Sequence, residues 1–457
     1  MRILHYGLGF PPYRTGGLTK YCVDLMLIQK NMGHDVAMMW PGKLGFSGHF
    51  VHIKTTINKI GVKSFEIVNP LPVPLDEGIK DIKEYTKKCS NPQIFKDFFD
   101  EYKPDVLHIH TFMGLYREVL EEAKNLGIKL VFTTHDYFGI CPKVTLFRNN
   151  QICDGDCGKC EKCNERALSI KKIKILQSPL YRGLKDTKVV KKLRTSHRKD
   201  FFDNGFSEGE NCGNRQKNQY EELRNYYVSF FEFIDMVHFN SSTTEEVYRK
   251  YIPLSVKGKV INITHGKIAD NRRKKEFNED LLKIVYLAPA KPFKGYIILR
   301  EALDELWNEG IDCFKLTMYN NSNDIREYME VKHSFKDEDL EKIFEKSDVL
   351  IMPSVWKETY GFTVLEALSY GVPVIISENV GAKDLVGNNQ YGMVIEPTKD
   401  GVKRAIIKLI NNRDILKEYN NKIVNEMDFE GILRSPYDIE KLYEDCLLYT
   451  SDAADDR

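Results

Sequence analysis

Two glutamates lie eight residues apart after a short apolar segment. Residues 349–352 predict a buried strand, Glu358 falls in the loop after it, and Gly361 predicts the start of a helix that carries Glu366. Free N–H groups at a helix start favour phosphate, and carboxylates accept hydrogen bonds from vicinal sugar hydroxyls. The pair therefore predicts a site for a phosphorylated sugar. The alternative is two solvated acids favoured by the helix dipole.

Two lysines and two glycines could hold the phosphates of such a ligand. Lys291 and Lys294 lie between a predicted strand and a predicted helix, and Gly295 follows Lys294. A lysine ammonium binds phosphate as a point charge. Gly16 and Gly17 lie between the first predicted strand and its helix, where glycines let a ligand approach the main chain. A surface lysine or an ordinary tight turn would use the same residues, so each pattern is weak alone.

Histidines also follow predicted strands. His135 comes directly after the apolar segment 129–134, so we expect it at the carboxyl end of a strand, where open parallel sheets bind ligands. His108 and His110 belong to another predicted strand end, and of these two only His110 is expected to reach the cleft. A lone histidine more often has a structural role, so His135 needs support from its surroundings.

Half of the ten cysteines are concentrated in the loop 141–163. They are Cys141, Cys153, Cys157, Cys160 and Cys163. Thiolates at such spacing can converge on one tetrahedral ion, so we predict a structural zinc site that uses four of the five. An iron–sulfur cluster has similar local spacing. Reduced thiols and disulfides are the remaining alternatives.

The charge balance argues against a nucleic-acid partner. Sixty-seven basic residues face 66 acidic ones, a formal net charge of +1, whereas nucleic-acid binders carry a basic face. No apolar run approaches the length of a membrane-spanning helix, about 18 residues. The first residues predict a strand rather than a signal peptide. We therefore expect a location in the cytoplasm or at the inner face of the cell membrane.

One local segment departs from this balance. Residues 171–198 combine many lysines and arginines with isoleucine, leucine and tyrosine. This composition is typical of a surface that contacts an anionic membrane or an anionic acceptor. A solvated helical face has the same composition. The composition alone therefore leaves two interpretations open, peripheral membrane contact and a solvated face.

Strand and helix patterns alternate along both halves of the chain. This alternation predicts an α/β protein with two doubly wound parallel sheets facing a cleft. The predicted domains are residues 1–268, with a basic helical insertion at about 171–227, and residues 283–426. Residues 427–446 are expected to form a helix that packs back on the first domain. Residues 447–457 are interpreted as a tail or translated read-through.

The segment 353–368, with its two glutamates, and the following segment 371–375 resemble the donor-binding region of retaining GT-B glycosyltransferases of family 4, the glycosyl transferases group 1. The Gly-Gly loop, His135 and the pair Lys294-Gly295 are also similar to that family. Pro289 departs from it, because the family usually has arginine there. The cysteine loop would mark a subgroup.

The resemblance implies a GT-B fold and sugar transfer, with retention, from a nucleoside diphosphate sugar. Glu358 would accept hydrogen bonds from the donor sugar, and Glu366 would bind the ribose. The amides of Gly361 and Phe362 would lie near the sugar and diphosphate. Lys294 would neutralise the leaving group, so Lys294 and Glu358 would both be catalytic residues.

The same resemblance implies the remaining contacts. Gly16, Gly17 and Lys291 would also contact the donor, and His135 would be a third catalytic residue beside the acceptor. The family needs no metal or other cofactor for catalysis, so any zinc would be structural. The acceptor would be a glycan or a lipid-linked molecule, in the synthesis of a cell-surface polysaccharide or glycolipid.

Two other functions were weighed on the same residues. A dinucleotide-dependent oxidoreductase would need Gly-x-Gly-x-x-Gly after the first strand, but Pro12 stands where the third glycine should follow Gly7 and Gly9. A non-catalytic protein that binds a sugar nucleotide or a glycan could use the same fold. Pro289 favours this second alternative.

Overall fold

The computed structural model shows an α/β protein with two separate parallel sheets, which confirms the predicted fold class. None of the described helices is long and apolar enough to cross a bilayer. The structure describes residues 1–14, 16–45, 50–58, 60–148, 150–185, 187–188, 190, 192, 217–277, 280–320 and 324–448.

The first half of the chain forms an eight-stranded sheet and a separate two-stranded hairpin. The strands are β1 (Arg2–Tyr6), β2 (Asp35–Pro41), β3 (His52–Thr56), β4 (Lys63–Val68), β5 (Val106–Ile109), β6 (Lys129–Thr133), β7 (Phe147–Arg148), β8 (Gln151–Ile152), β9 (Met236–Phe239) and β10 (Gly258–Val260). The sheet has the order β10-β9-β6-β5-β1-β2-β4-β3, and only β3 runs antiparallel to its neighbour. The carboxyl ends of β1, β5, β6 and β9 therefore meet at one edge.

The second half forms a six-stranded sheet that is parallel throughout, in the order β13-β12-β11-β14-β15-β16. Its strands are β11 (Leu282–Tyr286), β12 (Phe314–Met318), β13 (Met329–Val331), β14 (Val349–Met352), β15 (Val374–Ser377) and β16 (Gly392–Ile395). Every residue of β14 and β15 is buried, as expected for strands that are covered on both faces of a parallel sheet. This explains why they are apolar without alternation.

The α-helices lie between and around these strands. They are α1 (Gly17–Asn31), α2 (Ile82–Tyr85), α3 (Gln93–Tyr102), α4 (Arg117–Asn125), α5 (Cys160–Cys163), α6 (Ile170–Leu176), α7 (Pro179–Leu184), α8 (Lys217–Val228), α9 (Ser242–Tyr248), α10 (Tyr296–Asn308), α11 (Leu340–Glu345), α12 (Phe362–Leu368), α13 (Lys399–Asn411), α14 (Asp414–Asn425), α15 (Phe429–Leu433) and α16 (Ser435–Leu448). Short 3-10 helices occur at Cys157–Lys159, Ser229–Glu232, Pro292–Lys294, Asp337–Asp339 and Gly381–Leu385.

The end of the chain returns to the first sheet. The region 427–446 contains two helices, α15 and α16, and α16 packs against α1 and β6. The helix α16 continues to Leu448, so it includes the first two residues of the predicted tail. Residues 449–457 lie outside the described part of the chain. In the predicted basic insertion, α6, α7 and α8 are described, whereas residues 193–216 are not.

Loops of the second half contact the first half beside the cleft. The main-chain N–H of Ser242 donates to Asp384 at 2.7 Å, and the Ser241 hydroxyl donates to the carbonyl of Thr359 at 2.7 Å. The Thr359 hydroxyl in turn donates to the carbonyl of His135 at 3.1 Å. These bonds hold the loop that contains Glu358 next to the end of β6.

Candidate functional site

Lys294 and Glu358 form an ion pair at the carboxyl ends of β11 and β14. The Lys294 ammonium donates to Oε2 of Glu358, and Nε1 of Trp356 donates to the same oxygen at 3.0 Å. Lys294 also lies 4.8 Å from the centre of the Trp356 ring, a cation–π distance. The two charged side chains are only 17% and 12% exposed. Their charges are therefore poorly screened by water, so the pair can respond strongly to a charged ligand.

The position of Lys294 depends on the glycine that follows it. Gly295 has φ +78° and ends the short 3-10 helix, and a Cβ atom there would lie 1.9 Å from the carbonyl oxygen of Pro353. Only glycine allows both the left-handed main chain and this close approach. The Lys-Gly pair therefore brings the lysine beside the loop after β14.

Lys291 and the departure at Pro289 lie on the same turn. The carbonyl of Pro289 accepts hydrogen bonds from the Tyr286 hydroxyl at 2.9 Å and from the Lys291 amide at 2.8 Å. The ammonium groups of Lys291 and Lys294 lie 5.3 and 5.8 Å from the centre of the Phe293 ring. The two ammonium groups therefore lie near the same ring, that of Phe293, a few residues after Pro289, the position at which the resemblance predicts an arginine.

Glu366 lies in a second, more deeply buried cluster. The Glu366 side chain is 8% exposed, and its Oε1 accepts a hydrogen bond from His265 Nε2 at 3.2 Å. His265 Nδ1 accepts from the amide of Lys267 at 3.3 Å, so the proton of a neutral His265 ring is on Nε2. Lys20 of α1 reaches Glu366 at 3.8 Å and Asp337 at 3.4 Å. Residues of both halves thus meet at this carboxylate.

Phe362 connects the glutamate clusters to the glycine loop. Its ring lies 5.1 Å from the His265 ring, and a Cβ atom on Gly17 would lie 3.4 Å from it. Gly361, with φ +103°, precedes α12 in a left-handed conformation. Gly16 has φ +119° and open space around it. Gly16, Gly17, Gly361 and Phe362 therefore line one continuous stretch of the cleft wall.

His135 lies on the opposite side of this stretch, beside Tyr21. The two rings are 4.8 Å apart, and His135 Nε2 lies 3.1 Å from Nδ1 of His110. Burial, with the neighbouring His238, lowers the pKa of His135 to about 3, so the ring is neutral at pH 7. Burial also raises the pKa of the adjacent Asp136 carboxyl to about 6. The expectation that His110 reaches the cleft is wrong, because its side chain is fully buried.

Four side chains of the site were not predicted. Trp356 lies within the segment 353–368, but its residue type and position did not by themselves indicate a role in the site. Asp337 does not directly follow a predicted strand. Lys20 is one turn into α1 after the glycine loop, and His265 directly follows the predicted strand 259–264. His265 could have been identified by the rule that found His135, because both directly follow a predicted strand, whereas Lys20 lies inside a helix. Their convergence on Glu366 needs the tertiary structure.

The cysteine loop lies beside α8 and surrounds a small pocket. Cys141, Cys153, Cys160 and Cys163 line the pocket. A hydrogen bond from Cys160 lowers the pKa of Cys157 to about 7, so this thiol deprotonates near neutral pH. These properties suit a metal-binding loop. In the described part of the chain, however, the three possible metal ligands whose ligand atoms lie within 4.8 Å of one another are His5, Cys22 and His110, outside the cysteine loop.

The zinc site therefore stays a prediction, with a direct test. Metal analysis of purified protein should find about one zinc per chain, and Cys160→Ser should lose it because a closed structural site needs all four ligands. Cys313→Ser, a half-buried cysteine of the second half, is the matched control and should keep the metal. Iron with visible absorption, or no metal in the wild type, would contradict the prediction.

The chain is similar to known glycosyltransferases. Residues 267–426 match the family described as glycosyl transferases group 1, and residues 15–150 match glycosyltransferase family 4. An uncharacterized glycosyltransferase of Methanocaldococcus jannaschii is 24% identical over 231 residues, 42% of this chain and 58% of that protein. UDP-Gal:alpha-D-GlcNAc-diphosphoundecaprenol alpha-1,3-galactosyltransferase of Escherichia coli is 32% identical over 114 residues, 24% of this chain and 28% of that protein. The chain thus spans less than two thirds of either relative.

Solved structures cover the chain more completely. Sucrose-phosphate synthase from Thermosynechococcus elongatus has a TM-score of 0.57 at 15% identity and covers 98% of this chain and 99% of its own. Anabaena HepE in complex with UDP has a TM-score of 0.57 at 12% identity and covers 97% and 100%. Fold and neighbours define the class as GT-B, with two Rossmann-like domains. Within that class, residues 267–426 carry the match to the glycosyl transferases group 1 family.

Proposed function

We propose that the protein transfers a sugar, with retention of the anomeric configuration, from a nucleoside diphosphate sugar to a hydroxyl group of a glycan or lipid-linked acceptor. The observation that carries the proposal is the paired Lys294 and Glu358 at the cleft, with Glu366 in the adjoining cluster. A cation for the diphosphate, a carboxylate for the sugar and a carboxylate for the ribose are the groups that such a donor requires. The HepE structure in complex with UDP and glucose supports this choice of ligand.

In the proposed reaction the bond between the sugar C1 and the diphosphate oxygen breaks, and a bond from C1 to the acceptor oxygen forms. The acceptor proton moves to the leaving phosphate. Lys294, with Lys291 beside it, would stabilise the charge that develops on that phosphate. Binding of the diphosphate would draw Lys294 away from Glu358, and the released carboxylate would accept from the sugar hydroxyls.

This chemistry needs no metal bound in the active site, because lysine ammonium groups neutralise the diphosphate. The sequence Asp154-Gly155-Asp156 has the letters of a metal-binding motif, but Asp154 pairs with Lys159 at 2.9 Å in the cysteine loop. We therefore expect turnover to continue in a chelator that removes free magnesium and manganese. Loss of activity that magnesium restores would contradict this expectation.

The test of the donor site uses UDP-, GDP- and dTDP-sugars with purified protein. One nucleotide class should bind, and its sugar should release nucleoside diphosphate slowly without an acceptor. Glu366→Ala should weaken binding of that nucleotide by about tenfold, because a buried carboxylate that accepts from two hydroxyls is lost. Glu327→Ala is a control acid outside the cluster. No binding of any nucleotide would contradict the proposal.

We also propose that the first half contacts a membrane through α6 and α7, which would bring the cleft to a lipid-linked acceptor in cell-surface polysaccharide or glycolipid synthesis. Three apolar side chains are exposed there: Ile175 by 50%, Leu180 by 68% and Leu184 by 47%. Lys171 and Lys172 are exposed among them.

The same surface adjoins the glycine loop. Arg182 and Lys185 lie 5.9 and 4.6 Å from the ring of Tyr13, which is exposed and precedes Gly16 in the loop after β1. A lipid held at α7 would therefore lie near the mouth of the cleft. The cytoplasmic face of the membrane is anionic, which suits these basic side chains.

A flotation assay with vesicles tests this contact. The protein should bind phosphatidylcholine vesicles that contain about 30% phosphatidylglycerol, and Leu180→Ser with Leu184→Ser should weaken binding by about tenfold through lost apolar burial. Leu254→Ser is the matched control, because Leu254 is 87% exposed on another surface. Equal binding by the double variant and by the Leu254→Ser control, or no binding by the wild type, would reject the membrane contact.

A further inference from the structure

Five histidines and four other groups form one continuous hydrogen-bonded chain beneath the cleft. Every member is buried except His135, which is half-buried at the cleft end. The members are His135, His110, His5, Gln29, Tyr443, His108, Thr133, His238 and the carbonyl of Ile261. The chain of hydrogen bonds connects α1, α16 and the ends of five neighbouring strands, β10, β9, β6, β5 and β1, to one predicted site residue, His135.

The direction of every bond follows from the group at the far end. The Ile261 carbonyl can only accept, so His238 Nε2, at 2.8 Å, carries the proton. In a neutral ring His238 Nδ1 must then accept from the Thr133 hydroxyl at 2.9 Å. The Thr133 oxygen therefore accepts from His108 Nε2 at 2.6 Å, and His108 Nδ1 accepts from the Tyr443 hydroxyl at 2.5 Å.

The remaining hydrogen bonds lead from Tyr443 to His135 at the cleft, and each has one possible direction. The Tyr443 hydroxyl donates its hydrogen bond to His108, so its oxygen accepts from the Gln29 amide nitrogen at 3.1 Å. The other end of that amide, Gln29 Oε1, faces His5. His5 Nε2 donates to that oxygen at 2.7 Å, and His5 Nδ1 accepts from His110 Nε2 at 2.9 Å. His110 Nδ1 then accepts from His135 Nε2 at 3.1 Å. The proton of His135 is thereby assigned to Nε2, and its Nδ1 carries a lone pair.

Each of the five histidine rings is neutral because burial disfavours its charged form. Burial lowers the pKa of His5 and of His238 to about 4 and that of His135 to about 3. It lowers the pKa values of His108 and His110 well below the usual range, and the neighbouring histidines add to the effect. With one proton on each ring, a single assignment of donors and acceptors satisfies every hydrogen bond in the chain.

We propose that this chain fixes His135 in the tautomer with a bare Nδ1, and that Gln29 and Tyr443 are positioning residues that act through it. In the described part of the chain no group donates a hydrogen bond to this Nδ1. Resting on the proposed function, the inference assigns Nδ1 the role of accepting a hydrogen bond from a hydroxyl of the acceptor other than the attacking one, whose proton goes to the leaving phosphate. The chain ends at the carbonyl of Ile261, which does not take up a proton, so it orients the His135 ring without removing charge.

Solid-state ¹⁵N NMR of protein labelled only at histidine tests the tautomer without any substrate. His135→Gln identifies the His135 signals. The wild type should show Nε2 protonated and Nδ1 unprotonated in one form. Tyr443→Phe and, separately, Gln29→Met keep the apolar packing but interrupt the chain, so both tautomers of His135 should appear. Cys446→Ala, another buried residue of α16, is the control that should leave the tautomer unchanged.

Kinetics supply the second readout. Each interrupting variant should lower kcat by about tenfold with the donor KM unchanged, and the double variant should be no slower than the worse single one, because both act through one chain. A wild-type His135 with a protonated Nδ1, or with mixed tautomers, would overturn the inference. So would a metal at His5, Cys22 and His110, which would replace the bond between the two rings. A single tautomer in a protein that transfers no sugar would instead reject the proposed function.

Discussion

Replacing Glu358 with glutamine should lower the kcat of sugar transfer by about 100-fold or more, as removal of one charged group from a preorganised site does. Glutamine keeps the shape of the side chain but loses the charge that holds Lys294 beside it. Its amide also replaces a pure acceptor by a group with a donor at one end. The measurement is the initial rate of nucleoside diphosphate release with donor and acceptor at saturation.

The matched control is Glu330→Gln, since Glu330 is an exposed acid in the same sheet and pairs with Lys315 and Lys332 at the surface. Surface pairs contribute little, so its kcat should be unchanged. Lys294→Met should cost about as much as Glu358→Gln, and the double variant should be less than additive because the two groups act together. A Glu358→Gln enzyme with more than half of the wild-type rate would contradict the assignment of the site.

Acid should unfold the protein in a narrow range below pH 6.5. His5 and His238 have pKa values of about 4 when folded, whereas an unfolded histidine has about 6.5. Between these values the unfolded chain binds protons that the folded chain does not, so the free energy of unfolding decreases as pH falls. Each such group contributes a slope of about 1.4 kcal/mol per pH unit. Burial also lowers the pKa values of His108 and His110 well below the usual range, so these two rings act in the same direction.

Four buried histidines together should therefore remove about 8 kcal/mol of stability between pH 6.5 and pH 5, a large part of the usual 5–15 kcal/mol. Urea unfolding followed by circular dichroism at pH 7.5, 6.5 and 5.5 measures the slope. His238→Gln should reduce this slope by about 1.4 kcal/mol per pH unit, the contribution of one proton. His52→Gln, at an exposed position, should leave the slope unchanged. Stability that stays constant from pH 7.5 to 5.5 would contradict the burial of these rings as neutral groups.

The fold could be predicted because its signals are local. The strands β14 and β15 are short runs of mainly apolar residues next to Pro353 and Pro373, and parallel strands that are covered on both faces need no alternation. Glu358 and Lys294 were predicted because each lies between a predicted strand and a predicted helix, in a segment that resembles the glycosyltransferase family. Their contact then follows from the pairing of β11 with β14.

The interior of the site could not be predicted, because it depends on contacts between distant segments. Glu366 meets Lys20 of α1 and His265 of the first half, and no local pattern predicts which strand ends converge. His110 illustrates the second difficulty. A strand buried on both faces has no polar side, so the sequence could not show that His110 points to His5 and His135 rather than to the cleft.

The most direct test of the account is whether a sugar moves from the donor to another molecule. Wild type and Glu358→Gln would each be incubated with a radiolabelled sugar nucleotide, the one identified by binding, and with a lipid and glycan extract. The account predicts label in the extract with the wild type and about 100-fold less with Glu358→Gln. A wild type that binds the nucleotide sugar but never transfers label would contradict it, and the protein would then be a non-catalytic binding module on a glycosyltransferase fold.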